Sequence, residues 1–242
     1  MSFGMFCAIP LPFQLWDDKR VNLMLPCLPI VGGIIGVLWW GFAELLVFSG
    51  IHLMIASAAL ALAPFFTTGF LHLDGYMDTS DAVLSRRPLE EKLRILKDPH
   101  TGAFAVIMTA ALFITQFAAS YAVIEKGKQL ALLIVIAVIS RCCSAMSVLC
   151  LKAMPQSGYG NMFKNNSGIA HKAFLAAAAA IAAGSSCFIA GASGLIVVMS
   201  AMLSFIGAIS YAYINLKGVS GDLAGFALVV SELGGLIALA AT

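Results

Sequence analysis

Apolar positions in this chain fall in long continuous runs, neither alternating as in a half-buried strand nor striped as on a surface helix. Runs of about 20 residues, enough for a helix to cross a bilayer, cover approximately residues 24–48, 51–73, 101–124, 130–151, 173–191, 195–215 and 222–242. The pattern predicts about seven transmembrane helices. Spanning strands are excluded, because their sequences alternate and an open sheet edge cannot face lipid. The fold class is an all-α, polytopic membrane bundle with a cytoplasmic amphipathic segment. No linker is long enough to divide it, so residues 1–242 read as a single transmembrane catalytic domain.

Composition reinforces this picture. The chain is 61% hydrophobic and 11% charged, where soluble domains run at roughly half and a quarter. Counting alternate loops under seven spans, Lys19, Arg20, Arg86, Arg87, Lys92, Arg94, Lys97, Lys152, Lys164, Lys172 and Lys217 share the side of the N-terminus, against Lys126 and Lys128 opposite. The bias predicts a cytoplasmic N-terminus in a cell (inner) membrane. The net charge of +2 averages these two faces, and no tail or patch suggests nucleic acid. Met1–Trp16 has Pro10 and Pro12 and no basic start, so it reads as an interfacial lead-in, not a signal peptide. The cysteines show no C-x-x-C spacing and read as small core residues.

Three polar segments interrupt the apolar runs on the predicted cytoplasmic side. In the first, Leu89, Leu93 and Leu96 recur at helical spacing among charges, predicting a short amphipathic surface helix with Glu90, Glu91 and Lys92 solvated. The second, Pro155 to Asn166, offers Gly158, Gly160 and Asn161 for close backbone approach to a ligand, although a plain connecting loop has the same composition. The third, Lys217 to Gly225, carries Asp222, which either caps the last helix or adds a ligand. Their convergence on one face predicts an active-site mouth.

The sharpest chemical signal is Leu71-His72-Leu73-Asp74-Gly75-Tyr76-Met77-Asp78-Thr79-Ser80-Asp81. On a helix, Asp74, Asp78 and Asp81 lie within an arc of about 60°. Three stacked carboxylates repel one another, and a divalent cation relieves that repulsion. Oxygen ligands of this kind suit Mg²⁺, Mn²⁺ or Ca²⁺, and Mg²⁺ held by few carboxylates commonly also meets substrate phosphates. Two further charges, Arg141 and Glu232, fall inside apolar runs, each about 15 Å from the polar face at 1.5 Å per residue. Unpaired burial is costly, so they are expected either to neighbour one another or to contact substrate in a deep cleft.

These residues resemble the cobalamin synthases, the adenosylcobinamide-GDP ribazoletransferases. Thr68 to Asp81 looks like the family's G-G-[LF]-H-L-D-G-L-A-D-T-x-D signature, and Arg94-Ile95-Leu96-Lys97-Asp98 with Gly102 resembles its second motif. Ile9-Pro10-Leu11-Pro12, Leu28-Pro29-Ile30-Val31-Gly32, the Gly158–Phe163 loop, and Gly221-Asp222 with Ser231-Glu232 follow in the family's order. Pro99, Ser220 and Val229 depart from it, the last where an acid is common.

The resemblance implies that a hydroxyl of α-ribazole, or of its 5′-phosphate, attacks the cobinamide-side phosphorus of adenosylcobinamide-GDP and that GMP leaves. It implies Mg²⁺ on Asp74, Asp78 and Asp81, with His72 accepting the proton of the attacking hydroxyl or donating a hydrogen bond to a phosphate. Substrate contacts are expected from Arg94, Lys97, Asp98, Gly158, Gly160, Asn161, Asp222, Glu232 and Arg141. Two other readings compete. A CDP-alcohol phosphotransferase expects Ala-Arg after the first Asp-Gly and wider acid spacing. A secondary transporter expects internal repeats and midplane acids, whereas the richest acid cluster here lies at a span's end.

Overall fold

The computed structural model describes residues 1–10, 17–154 and 167–242. Among them the secondary structure is helical: α1 (Ser2–Phe6), a short 3-10 helix (Asp18–Leu23), α2 (Leu28–Phe48), α3 (Leu53–Thr67), α4 (Leu71–Leu84), α5 (Leu89–Ile95), α6 (Ala103–Glu125), α7 (Leu132–Cys150), α8 (Ile169–Leu216) and α9 (Gly221–Ala241). Only an isolated bridge, Ala153 with Val219, pairs extended backbone among the described residues.

Five of these helices are long and apolar enough to cross a membrane, or six if α3 and α4 form one broken span. The difference from seven runs lies in α8, which absorbs both 173–191 and 195–215. Its 48 residues lose helical backbone at Ala190 and Gly191. Gly191 takes φ +56°, and beyond it Gly194 comes up against the Ser186 carbonyl, a contact that a straight helix would not allow. The chain therefore folds back on itself. At 1.5 Å per residue a straight α8 would be about 72 Å long, more than twice the hydrocarbon thickness of about 30 Å.

Burial separates an inner pair from an outer ring. In α7 and α9, 78% and 67% of the apolar window is closed off inside the protein, against 28% to 33% in α2, α6 and α8. Helices apolar all round belong at the centre of such a bundle. α2 packs on α7 through Gly32 and Gly36, where a Cβ would stand 2.7 Å from the Ala137 oxygen and 2.6 Å from Ile134 Cα. Small residues four apart permit that approach in membranes.

The second predicted run, 51–73, does not continue as one helix. Pro64 has no N–H for the Leu60 carbonyl, and the Trp39 indole donates to that oxygen instead, at 3.1 Å. α3 ends at Thr67; Gly69 and Phe70 then adopt φ +60° and +63°, and α4 leaves at 92°. The acids thus stand on a helix turned across the end of the span.

The two ends of the bundle differ in charge as expected. Lys126, at the end of α6, donates to the Ala240 carbonyl at the far end of α9, 3.0 Å away. Lys152, Lys217 and the cations of α5 cluster at the other end, where Met154 N and Val219 N bond across the α7 exit and the α8–α9 turn at 3.0 and 2.9 Å. One expectation for α5 fails. Lys92 is buried and donates to Asn215 Oδ1 on α8 at 2.7 Å, because α5 lies against the bundle rather than free in solvent.

Candidate active site

The site is built on α4 and its crossing with α9. Helical spacing aligns Asp74, Asp78 and Asp81, with Asp74 in the first turn, where backbone N–H groups favour an anion. Gly75 faces α9 so closely that a Cβ would lie 2.8 Å from both the Cα and the carbonyl oxygen of Asp222. This contact brings a fourth carboxylate to the α4 stripe. Asp78 interacts electrostatically with Asp74, Asp222 and Asp81, and Asp222 with Asp74. The first turn of α6 closes the other flank, where a side chain on Gly102 would run into the Asp81 carboxylate.

Ser220 caps α9, its Oγ accepting from Leu223 N at 3.4 Å and donating to Asp222 Oδ2 at 3.3 Å. The replacement of the family's usual Thr keeps the hydroxyl that does this. The cap of α9 is therefore Ser220 and not Asp222, whose carboxylate accepts from the capping hydroxyl and lies near the α4 stripe.

Charge compensation is missing. Among the described residues no Lys or Arg forms an ion pair with Asp74, Asp78, Asp81 or Asp222. Nor do three His, Cys, Asp or Glu side chains among them already stand close enough to hold a metal ion. The donor type, and the lack of a cationic partner among the described residues, fit a hard cation.

The other expected residues divide into four groups. His72 is not brought to the stripe: it lies about 160° around α4 from it at 100° per residue. It is buried beside Gly225 and stacks on Phe6 with ring centroids 6.3 Å apart. Among the described residues its Nε2 has no partner, and it lies within electrostatic reach of Arg141. Arg141 and Glu232 form a buried ion pair, with exposures of 1% and 4%. Ser140 Oγ bridges them, accepting from Arg141 Nη1 at 3.0 Å and donating to Glu232 Oε1 at 3.3 Å.

Arg94, Lys97 and Asp98 are exposed at the end of α5, on the segment that leads to Gly102 and Asp81. Arg94 pairs with Glu91 at 3.0 Å. Asp98 Oδ1 accepts from the His100 backbone N–H at 3.0 Å and contacts its ring at 2.7 Å, which holds the Asp98 carboxyl below the usual range. Gly158, Gly160 and Asn161 lie outside the described residues. Two participants were missed as such, Gly75 and Gly102, although each sits inside a quoted motif; their role is to admit a neighbour, and only the packing reveals which one.

Fold and site together define a multi-pass helical membrane protein with acids gathered at one end of the bundle, without a Lys or Arg ion pair among the described residues. The chain belongs to the cobalamin-5-phosphate synthase family, which it matches over residues 1–240. It is 37% identical over 236 residues to an adenosylcobinamide-GDP ribazoletransferase of Clostridium botulinum (strain Alaska E43 / Type E3), covering 98% of this chain and 94% of that protein. A protein of the same description from Clostridium perfringens (strain SM101 / Type A) is 36% identical over 240 residues, covering 99% and 95%. Another from Pseudomonas savastanoi pv. phaseolicola is 33% identical over 213 residues, covering 88% and 85%. No solved structure matches.

Proposed function

We propose that this protein joins adenosylcobinamide-GDP to α-ribazole 5′-phosphate, or to free α-ribazole, with release of GMP, in late nucleotide-loop assembly of cobalamin. Family membership along nearly the whole chain supports the reaction. The observation that carries its location is the meeting of Asp74, Asp78, Asp81 and Asp222 without a cationic partner among the described residues.

Asp74, Asp78 and Asp81 would hold Mg²⁺, with Asp222 beside them. Bound there, the ion would neutralise diphosphate oxygens and the charge growing on the departing GMP. The chain's own part is to aim acceptor and donor at one another above α4. Arg94 and Lys97, exposed on the segment that leads to Gly102 and Asp81, would bind phosphate oxygens as cations. A stripe carboxylate takes the proton of the attacking hydroxyl, since His72 lies on the opposite side of α4. The positively biased end faces the cytoplasm of a cell membrane, so the polar substrates reach the acids without crossing lipid.

The test is release of GMP from adenosylcobinamide-GDP by the purified protein in liposomes, with each acceptor, before and after EDTA treatment. The expected result is acceptor-dependent GMP release, matched by cobamide formation, lost with EDTA and restored by Mg²⁺. EDTA-resistant turnover would overturn the metal assignment, and absence of turnover with both acceptors would overturn the reaction.

A further inference from the structure

Arg141 and Glu232 lie away from the carboxylate stripe, yet Glu232 shares α9 with Asp222. Ten residues separate them, about 15 Å along the helix and about 80° around it. Asp222 meets α4 at Gly75, while Glu232 meets α7 at Arg141. Among the described residues theirs is the one ion pair that joins two helices. Other ties on α9 are bonds to backbone carbonyls, such as Ser231 Oγ to the Ala201 oxygen at 2.8 Å, Ser200 Oγ to the Gly234 oxygen at 2.9 Å and Lys126 Nζ to the Ala240 oxygen at 3.0 Å. A buried ion pair is a weak source of net stability, because desolvation offsets most of the attraction, but it penalises any register that separates the charges. α9 can neither slide nor rotate on α7 without stranding a charge in the apolar core.

We propose that Arg141 and Glu232 are positioning residues for the transfer reaction: their pair fixes the height and rotation of α9 and thereby holds Asp222 against the α4 carboxylates. Arg141 sits close under Gly32, where a Cβ would lie 2.9 Å from its Cδ, so α2 braces the same side chain. Both residues act through Asp222 and neither touches substrate. The inference rests on the proposed site only in taking Asp222 as part of it.

The test uses the full chain in four forms: wild type, Glu232→Gln, Arg141→Met with Glu232→Leu, and the reversed pair Arg141→Glu with Glu232→Arg. Each is made with and without Asp222→Asn. The apolar pair is expected to melt within a few degrees of wild type and to lose about tenfold or more in kcat with little change in KM. Asp222→Asn should cost wild type about tenfold, yet less than about twofold in the apolar-pair background, because that carboxylate is already misplaced. Nitroxides at positions 85 and 221 should show a narrow distance distribution in wild type and a broad one in the apolar pair.

Wild-type kcat with narrow distances in the apolar pair would overturn the proposal, as would an undiminished effect of Asp222→Asn there. Should the apolar pair fail to fold, the reversed pair decides. Turnover and narrow distances regained relative to Glu232→Gln support positioning, and a folded reversed pair without them refutes it. Inactive wild-type protein would refute the functional reading, while the distance measurement would still judge the positional one.

Discussion

Acids meet in two places in this bundle, and the protein treats them in opposite ways. In the core, Glu232 is given a guanidinium and a hydroxyl, and the charge is neutralised locally. At the end of the bundle, Asp74, Asp78, Asp81 and Asp222 are gathered with no cation among the described residues. The first arrangement is what a low-dielectric interior demands, since an unpaired ion there costs several kcal/mol. The second is tolerated because α4 lies across the bundle end, with Asp74 exposed and its neighbours half-exposed. A site that leaves its charge uncompensated is unfavourable as a scaffold and suited to a ligand that brings the missing charge.

The largest effect should come from the uncompensated cluster. Asp78 interacts with all three other carboxylates, so Asp78→Asn removes the central member. Turnover is expected to fall on the order of 10³-fold. Folding stability should hold or rise by about 0.5 kcal/mol, because a like-charge repulsion along α4 is relieved. Glu232→Gln should do the reverse to stability, lowering it by about 3–5 kcal/mol by stranding the Arg141 charge. GMP release and thermal melting, measured on both variants, would break the comparison if each cost stability alike or if Asp78→Asn turned over normally.

Most of the acid stripe was legible in the sequence, because helical spacing alone aligns Asp74, Asp78 and Asp81. The pairing of Arg141 with Glu232 was also open to inference, since burial leaves two mid-membrane charges few alternatives. What spacing could not give was the turn of α4. An apolar run through Leu73 looks like one helix, and the break rests on left-handed backbone at Gly69 and Phe70. The role the resemblance implies for His72 is not matched by its placement, since two residues apart on a helix it and Asp74 point to nearly opposite sides. The fold-back within α8 was readable as the gap between the runs 173–191 and 195–215, but its hinge was not, because a single glycine within an apolar stretch does not by itself mark a turn.

Gly75→Ala sharpens the comparison at intermediate size. In an isolated helix the change would favour folding by about 1 kcal/mol. Here the added methyl would stand 2.8 Å from the Asp222 backbone, which cannot rotate away as a side chain could. Overpacking of this kind costs about 1–3 kcal/mol, so it outweighs the propensity gain and α4 must part from α9. The expected result is a lowered melting temperature with turnover reduced about tenfold, since Asp222 withdraws from the stripe while the α4 acids keep their spacing. Unchanged turnover with a raised melting temperature would show that the crossing is looser than described and that Asp222 contributes nothing there.

The smallest effect is expected at the opposite end of the same helix. Lys126 Nζ reaches the Ala240 oxygen and so meets the negative end of α9, about 30 Å from Asp222 at 1.5 Å per residue. A cation at a helix C-terminus contributes about 0.3–1 kcal/mol, and Lys126 is exposed, so Lys126→Ala should lower stability by an amount near the bottom of that range. Turnover should stay at the wild-type level, because α9 is held along its length by Glu232, Ser231 and the carbonyl of Gly234 before any fraying at Ala240 reaches the acids. If Lys126→Ala instead lowered turnover as far as Gly75→Ala does, with both proteins folded, α9 would be moving as a rigid rod from its far end. The Arg141–Glu232 pair would then not be the point that fixes it.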